Sequence, residues 1–195
     1  MPPSTTFAEK DIVQAALQVI REEGLANMSA RKVAERLGSS TAPVYHVFKS
    51  MDALAEAVLK ELKAMALQYM SVAYTDRHFL NIGMGFAIFA REEPGLFRAF
   101  HLENKSHRRF VDELFAELRE SMLHDPRFSH MPTEDRGALL AKMWTFTLGL
   151  SMQICCEGVA DASDEWIRDT LIETGTIIIT DALSRMNGGS ARAPL

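Results

Sequence analysis

Ser29-Ala30-Arg31-Lys32-Val33-Ala34-Glu35-Arg36-Leu37-Gly38-Ser39-Ser40-Thr41-Ala42-Pro43-Val44-Tyr45-His46-Val47-Phe48-Lys49-Ser50 holds the most informative local signals in the chain. Ser29 suits a helix N-cap, where a hydroxyl oxygen accepts from a free N–H of the first turn. Between Ser29 and Gly38, Val33, Ala34 and Leu37 fall on one side of a helix, while Arg31, Lys32, Glu35 and Arg36 fall mostly on the other. Gly38 closes that helix. Ser39 or Ser40 caps a second segment, Thr41 to about Val47, with Pro43 in its first turn, where a missing N–H leaves no hydrogen bond unmade. Two short helices joined across a glycine turn, after a longer helix that buttresses them, outline a helix-turn-helix domain.

Working outward, the preceding helix opens at Thr6-Phe7-Ala8-Glu9, a threonine and a glutamate at capping-box spacing. Ile12, Ala15, Ala16, Val19 and Ile20 form its inner face and Gly24 ends it. Ser50 with Asp52 starts a connector helix through Leu54, Val58, Leu59, Leu62, Met65 and Tyr69, its acidic residue near the positive end of the dipole. Further helices are expected at about 76–92, 94–102, 104–124, 133–158 and 163–187, separated by Pro94-Gly95, Asp125-Pro126 and Gly158 to Ser163. Thr133 before Glu134 and Asp135, and Ser163 before Asp164 and Glu165, mark the starts of the last two. No run alternates as a half-buried strand does, so the expected fold is all-α with about nine helices. The expected division is a DNA-binding domain over 1–50, a helical ligand-binding and dimerisation domain over 51–188, and a disordered tail over 189–195.

The chain has 195 residues, 47% of them hydrophobic, which is ample for a buried core, and a formal net charge of -5. No global basic field is present, so a nucleic-acid surface has to be local. From Ser29 to Lys49, Arg31, Lys32, Arg36 and Lys49 stand against Glu35 alone. The opening MPPSTTF has neither a basic nor an apolar leader region, and the uncharged stretch Met143 to Cys156 is shorter than the roughly 20 residues of a membrane helix. A soluble cytoplasmic protein without a membrane partner is expected. The adjacent Cys155 and Cys156 read as small buried hydrophobes, with nothing basic within three positions to make a thiolate. His78, His101, His107, His124 and His130 lack paired metal-ligand spacing, and no nucleophile-base or paired-carboxylate arrangement is recognisable. No cofactor, metal or catalytic residue is expected, and the chain is not read as an enzyme.

The second short helix carries the chemistry. The Tyr45 hydroxyl, His46 imidazole and Lys49 ammonium can donate to phosphate oxygens, while the small Thr41 and Ala42 let the helix approach base edges in the major groove. Val44, Val47 and Phe48 anchor it. The whole segment Ser29 to Ser50 resembles the signature of the TetR family of transcriptional regulators, and the resemblance extends over about residues 6–60. It implies that Ser29, Arg31, Tyr45, His46 and Lys49 hold phosphates and that Thr41 and Ala42 face bases. Many members carry a lysine after the serine that caps the fourth helix; Met51 stands there in this chain.

Residues 79–152 concentrate soft and aromatic side chains, among them Phe79, Met84, Phe86, Phe89, Phe97, Phe100, Phe110, Phe115, Met143, Trp144 and Phe146. Such residues repack around apolar ligands of differing shape. Phe86, Phe89, Phe100, Phe110, Met143, Trp144 and Thr147 are the candidate contacts for a small apolar or amphipathic effector. The stretches Phe86 to Arg98 and Trp144 to Leu150 also look like segments of TetR-type sensor domains, with Leu148 where relatives often have histidine. The last two helices are apolar over much of their circumference, and Leu148, Met152, Ile167, Leu171 and Ile178 are the candidate dimer contacts. The resemblance implies a two-fold four-helix interface, and symmetry then implies double-stranded DNA bearing an inverted repeat. The reading is a ligand-released repressor acting as a homodimer. Its rival is a ligand-binding helical dimer without operator binding.

Overall fold

A computed structural model describes residues 7–101 and 107–187. Among them the chain forms nine α-helices and no strand: α1 Glu9–Glu23, α2 Ala30–Arg36, α3 Ala42–Val47, α4 Met51–Met70, α5 His78–Glu92, α6 Pro94–His101, α7 His107–Ser121, α8 Thr133–Cys155 and α9 Asp164–Asn187. The all-α architecture is the one read from the sequence. The ends differ in detail. Helix α1 starts at Glu9, and the Asp11 carboxylate accepts from the Ala8 N–H at 2.9 Å. The Thr6 cap and the tail 188–195 lie outside the described residues. Helix α7 stops at Ser121 and a tight turn, Met122–His124, replaces its expected last turn.

Local chemistry accounts for several boundaries. The Ser29 hydroxyl accepts from the Lys32 N–H, Ser50 from the Ala53 N–H at 3.1 Å, and Ser163 from the Trp166 N–H at 3.2 Å. Thr133, expected to cap α8, is its first helical residue; Pro132 occupies the cap position, and the Thr133 hydroxyl accepts from the buried Arg136 guanidinium at 3.1 Å. Each serine satisfies a donor that the helix leaves open. Ser50→Ala is expected to lower stability by about 1 kcal/mol in denaturant melts, because α4 would then begin with an unsatisfied N–H.

Helix α5 is the axis of the packing. Every residue from Met84 to Ala90 is buried, and α4, α6, α8 and α9 all pack around it. One apolar cluster runs from Ile12 and Val19 in α1, through Leu54 and Val58 in α4, to Phe86, Phe97, Leu139 and Leu140. The N-terminal helices and the C-terminal helices therefore share a continuous core. A second cluster joins Met84, Ala87 and Ile88 of α5 to Ile167 and Leu171 of α9. At the centre of the larger cluster, the Phe86 ring lies 5.3 Å from Phe97, 4.8 Å from His101 and 4.7 Å from Trp144, centroid to centroid. No helix among the described residues is long and apolar enough to cross a membrane.

Candidate nucleic-acid interface and sensor cavity

The turn between α2 and α3 is built on Gly38, whose φ of +62° is a left-handed conformation that a side chain would strain. The Gly38 and Ser39 N–H groups donate back to the carbonyls of Glu35 and Ala34, closing α2. Helix α3 then has only six residues, and its packing side is settled by Val44, 1% exposed, and Phe48, 7% exposed. With that face inward, Tyr45 projects outward at 50% exposure, beside exposed Ala42, His46 and Lys49. Thr41 is half-buried at the start of α3. Ser29 is also half-buried; its oxygen caps α2, and its O–H proton remains available to an acceptor.

The charge on this surface is smaller than the sequence suggests. The Lys32 ammonium binds Glu23, and the Arg36 guanidinium binds Glu22 in a two-pronged pair. Both glutamates belong to the last turn of α1. Among the described residues, no carboxylate pairs with Arg31 or Lys49; the Lys49 ammonium donates to the His46 carbonyl at 3.2 Å. Two of the four cations are thus neutralised. The glutamate pair Glu22-Glu23 was the available signal, but its partners sit on a different helix.

The same last turn of α1 touches α6 and the residue before it. Arg21 donates to both oxygens of Glu93, at 2.6 and 3.0 Å, across the junction with α6. That hydrogen-bonded pairing holds the guanidinium above its ordinary range. The Tyr69 hydroxyl donates to Glu92 at 2.9 Å; burial first, and the neighbouring carboxylates second, push it up to about 12, so it remains a donor. Gly95 lies so close to α1 that a Cβ there would stand 2.5 Å from the Arg21 carbonyl oxygen.

The expected effector contacts divide into two groups. Phe86, Met143, Trp144 and Thr147 line a void of about 50 Å³. It shares Phe79 and Met143 with a larger cavity of about 660 Å³ between the start of α5, the α7–α8 connection and α9. Phe89 and Phe100 line neither; at 0% and 1% exposure they fill the core instead. Phe110 belongs to α7, and its side chain lies outside the described residues. The mouth of the larger cavity, which includes Arg77, His78 and His124, had no sequence signal because three separated segments assemble it.

The expected dimer contacts also divide. Ile167, 0% exposed, and Leu171, 8% exposed, pack in the chain's own core against α5. Leu148, Met152 and Ile178 are half-buried. Ile177, 70% exposed, and Trp166 on α9, with Ala141, Thr145 and Gly149 on α8, stand open instead. Cys155 is buried with its thiol donating to the Pro94 carbonyl at 3.4 Å, and burial pushes its pKa up; Cys156 is exposed.

A glycine-turned pair of helices presenting polar and cationic side chains, joined through a shared core to a larger helical body that holds a cavity, defines the class of helix-turn-helix proteins. Residues 12–58 match the family described as bacterial regulatory proteins, tetR family. The chain is 38% identical over 61 residues to the class A tetracycline repressor protein from transposon 1721 of Escherichia coli; the match covers 29% of this chain and 28% of that repressor's length. Its whole fold is similar to a putative TetR-family transcriptional regulator from Rhodococcus sp., at a TM-score of 0.69 and 20% identity, covering 88% of this chain and 98% of that one. A transcriptional regulator from Rhodococcus sp. Rha1 is similar at 0.63 and 19%, covering 96% and 100%. Its N-terminal segment thus matches the tetR-family model, and its whole fold is similar to those of TetR-type regulators.

Proposed function

We propose that this chain is a transcriptional repressor that binds an inverted-repeat operator as a homodimer and is released by a small effector. The observation that carries the reading is the outward set on and beside α3: Tyr45, His46 and Lys49, with Arg31 on α2, none of them held by a carboxylate among the described residues. These donors suit phosphate oxygens, and Thr41 and Ala42 at the head of α3 suit base edges. The open faces of α8 and α9, Ile177 among their residues, are the surfaces offered to a second copy. Such a regulator works where the chromosome is, in the cytoplasm.

Release requires that the effector bind one arrangement of the two reading heads better than the other. The cavity beside α5 is the candidate effector site, and α4 and α6, packed on α5, are the elements positioned to move the heads. The rival, a ligand-binding dimer without operator binding, draws support from the neutralised Lys32 and Arg36.

Footprinting on the DNA flanking the coding region, across a salt series, separates the two. Protection of an inverted repeat with steep salt dependence supports the repressor, and uniform weak binding supports the rival. Lys49→Ala is expected to weaken binding on all sequences alike and to reduce the salt slope by about one. Tyr45→Ala should also act uniformly, whereas Thr41→Ala should alter sequence preference. The reverse pattern overturns these assignments.

A further inference from the structure

The cavity's chemistry divides by exposure. Its half-buried and buried lining includes Phe79, Met143, Leu171 and Ile179, and it shares Phe79 and Met143 with the small void bounded by Trp144. Its mouth is polar. There Asp125 is gripped by the Arg127 guanidinium at 2.6 to 3.1 Å, which holds the carboxyl below its usual range and cancels the charge of both. What remains at the mouth is Arg77, exposed and without a carboxylate partner among the described residues, with the imidazoles of His78 and His124 and one carboxylate, Asp76.

Resting on the reading of this cavity as the effector site, we propose that the effector is an amphipathic anion: a single negatively charged head at Arg77, His78 and His124, and an apolar tail directed toward Trp144. The Arg77 fork matches a planar carboxylate, and the imidazoles add donors. The exposed mouth lets the head keep part of its hydration while the tail leaves water for the Phe79 and Met143 walls. A cationic head would meet an unpaired guanidinium, and a neutral one would forgo the charge-assisted bonds.

The test uses three probes of one chain length, decanoate, decanol and decylamine, titrated into the Trp166→Phe protein, in which Trp144 is the remaining tryptophan. Decanoate is expected to shift Trp144 emission and to bind at least about tenfold more tightly than the other two. Arg77→Gln combined with His124→Gln should bring decanoate down to the affinity of decanol and leave decanol unchanged. If decanol or decylamine binds as tightly as decanoate, the cavity stands as a ligand site and the anionic class falls. If none of the three changes Trp144 emission up to its solubility limit, the reading of the cavity as the effector site falls too.

Discussion

Phe86→Ala is expected to lower the stability of the fold by about 3–5 kcal/mol, the range for deleting a fully buried aromatic ring. The ring is 1% exposed and stands against Phe97, His101 and Trp144 at centroid separations of 5.3, 4.8 and 4.7 Å. Its removal therefore loses aromatic contacts as well as buried area, and the closely helical surroundings collapse only in part. Denaturant melts at fixed protein concentration measure the loss, because any dimerisation would otherwise enter the midpoint. Phe86→Leu, which refills most of the volume, should cost distinctly less. A loss below about 1 kcal/mol for the alanine variant would show that α5, α6 and α8 do not depend on this ring.

Gly95→Ala is expected to act on the joint between α1 and α6 and, on the proposed function, on operator binding. The added Cβ would stand 2.5 Å from the Arg21 carbonyl oxygen and 3.1 Å from the Arg21 carbonyl carbon and Cα. These are backbone atoms with no rotamer to yield, so α1 and α6 have to separate, at about 1–3 kcal/mol. Because the last turn of α1 also holds α2 through Glu22–Arg36 and Glu23–Lys32, displacing it displaces the reading helices. Operator affinity should fall by about tenfold or more, with a changed preference for half-site spacing. Binding of decanoate in the cavity should be unaltered, since Gly95 is not among its walls. Arg21→Ala, which removes a partly exposed ion pair, should have the smaller effect. Unchanged operator affinity and spacing in the glycine variant would mean that the joint yields without moving the heads.

The parts of this structure that sequence reasoning reached are those written in neighbouring residues. Ser29, Ser50 and Ser163 cap the helices they precede, and Gly38 takes the left-handed turn, because caps and turns are decided within four residues. The outward Tyr45 and Lys49 were legible for a related reason: in so short a helix, burying Val44 and Phe48 leaves few orientations. Pairings between distant segments were not legible. Lys32 and Arg36 read as open cations until α1 brings Glu22 and Glu23 beside them. Helix α9 is apolar on several sides, so periodicity alone gave no means of telling that Ile167 and Leu171 face α5 while Ile177 faces outward. The cavity mouth depends on three segments meeting, and neither Arg77 nor His124 announces that by its neighbours.

Arg21, Glu22 and Glu23 are consecutive, yet the first is tied to α6 and the other two to α2. This sets a limit on how the molecule can be cut and recombined. A chimera that transplants residues 29–50 onto the body of a relative keeps the reading surface but leaves Lys32 and Arg36 facing whatever the host carries at the end of its first helix. A transplant taken from the start of α1 carries both glutamates, but it also brings an arginine that needs an acidic residue in the host where Glu93 stands here. The unit that can be exchanged intact is therefore larger than the α2–α3 pair: it has to carry α1 together with the Glu93 side of the contact at Gly95.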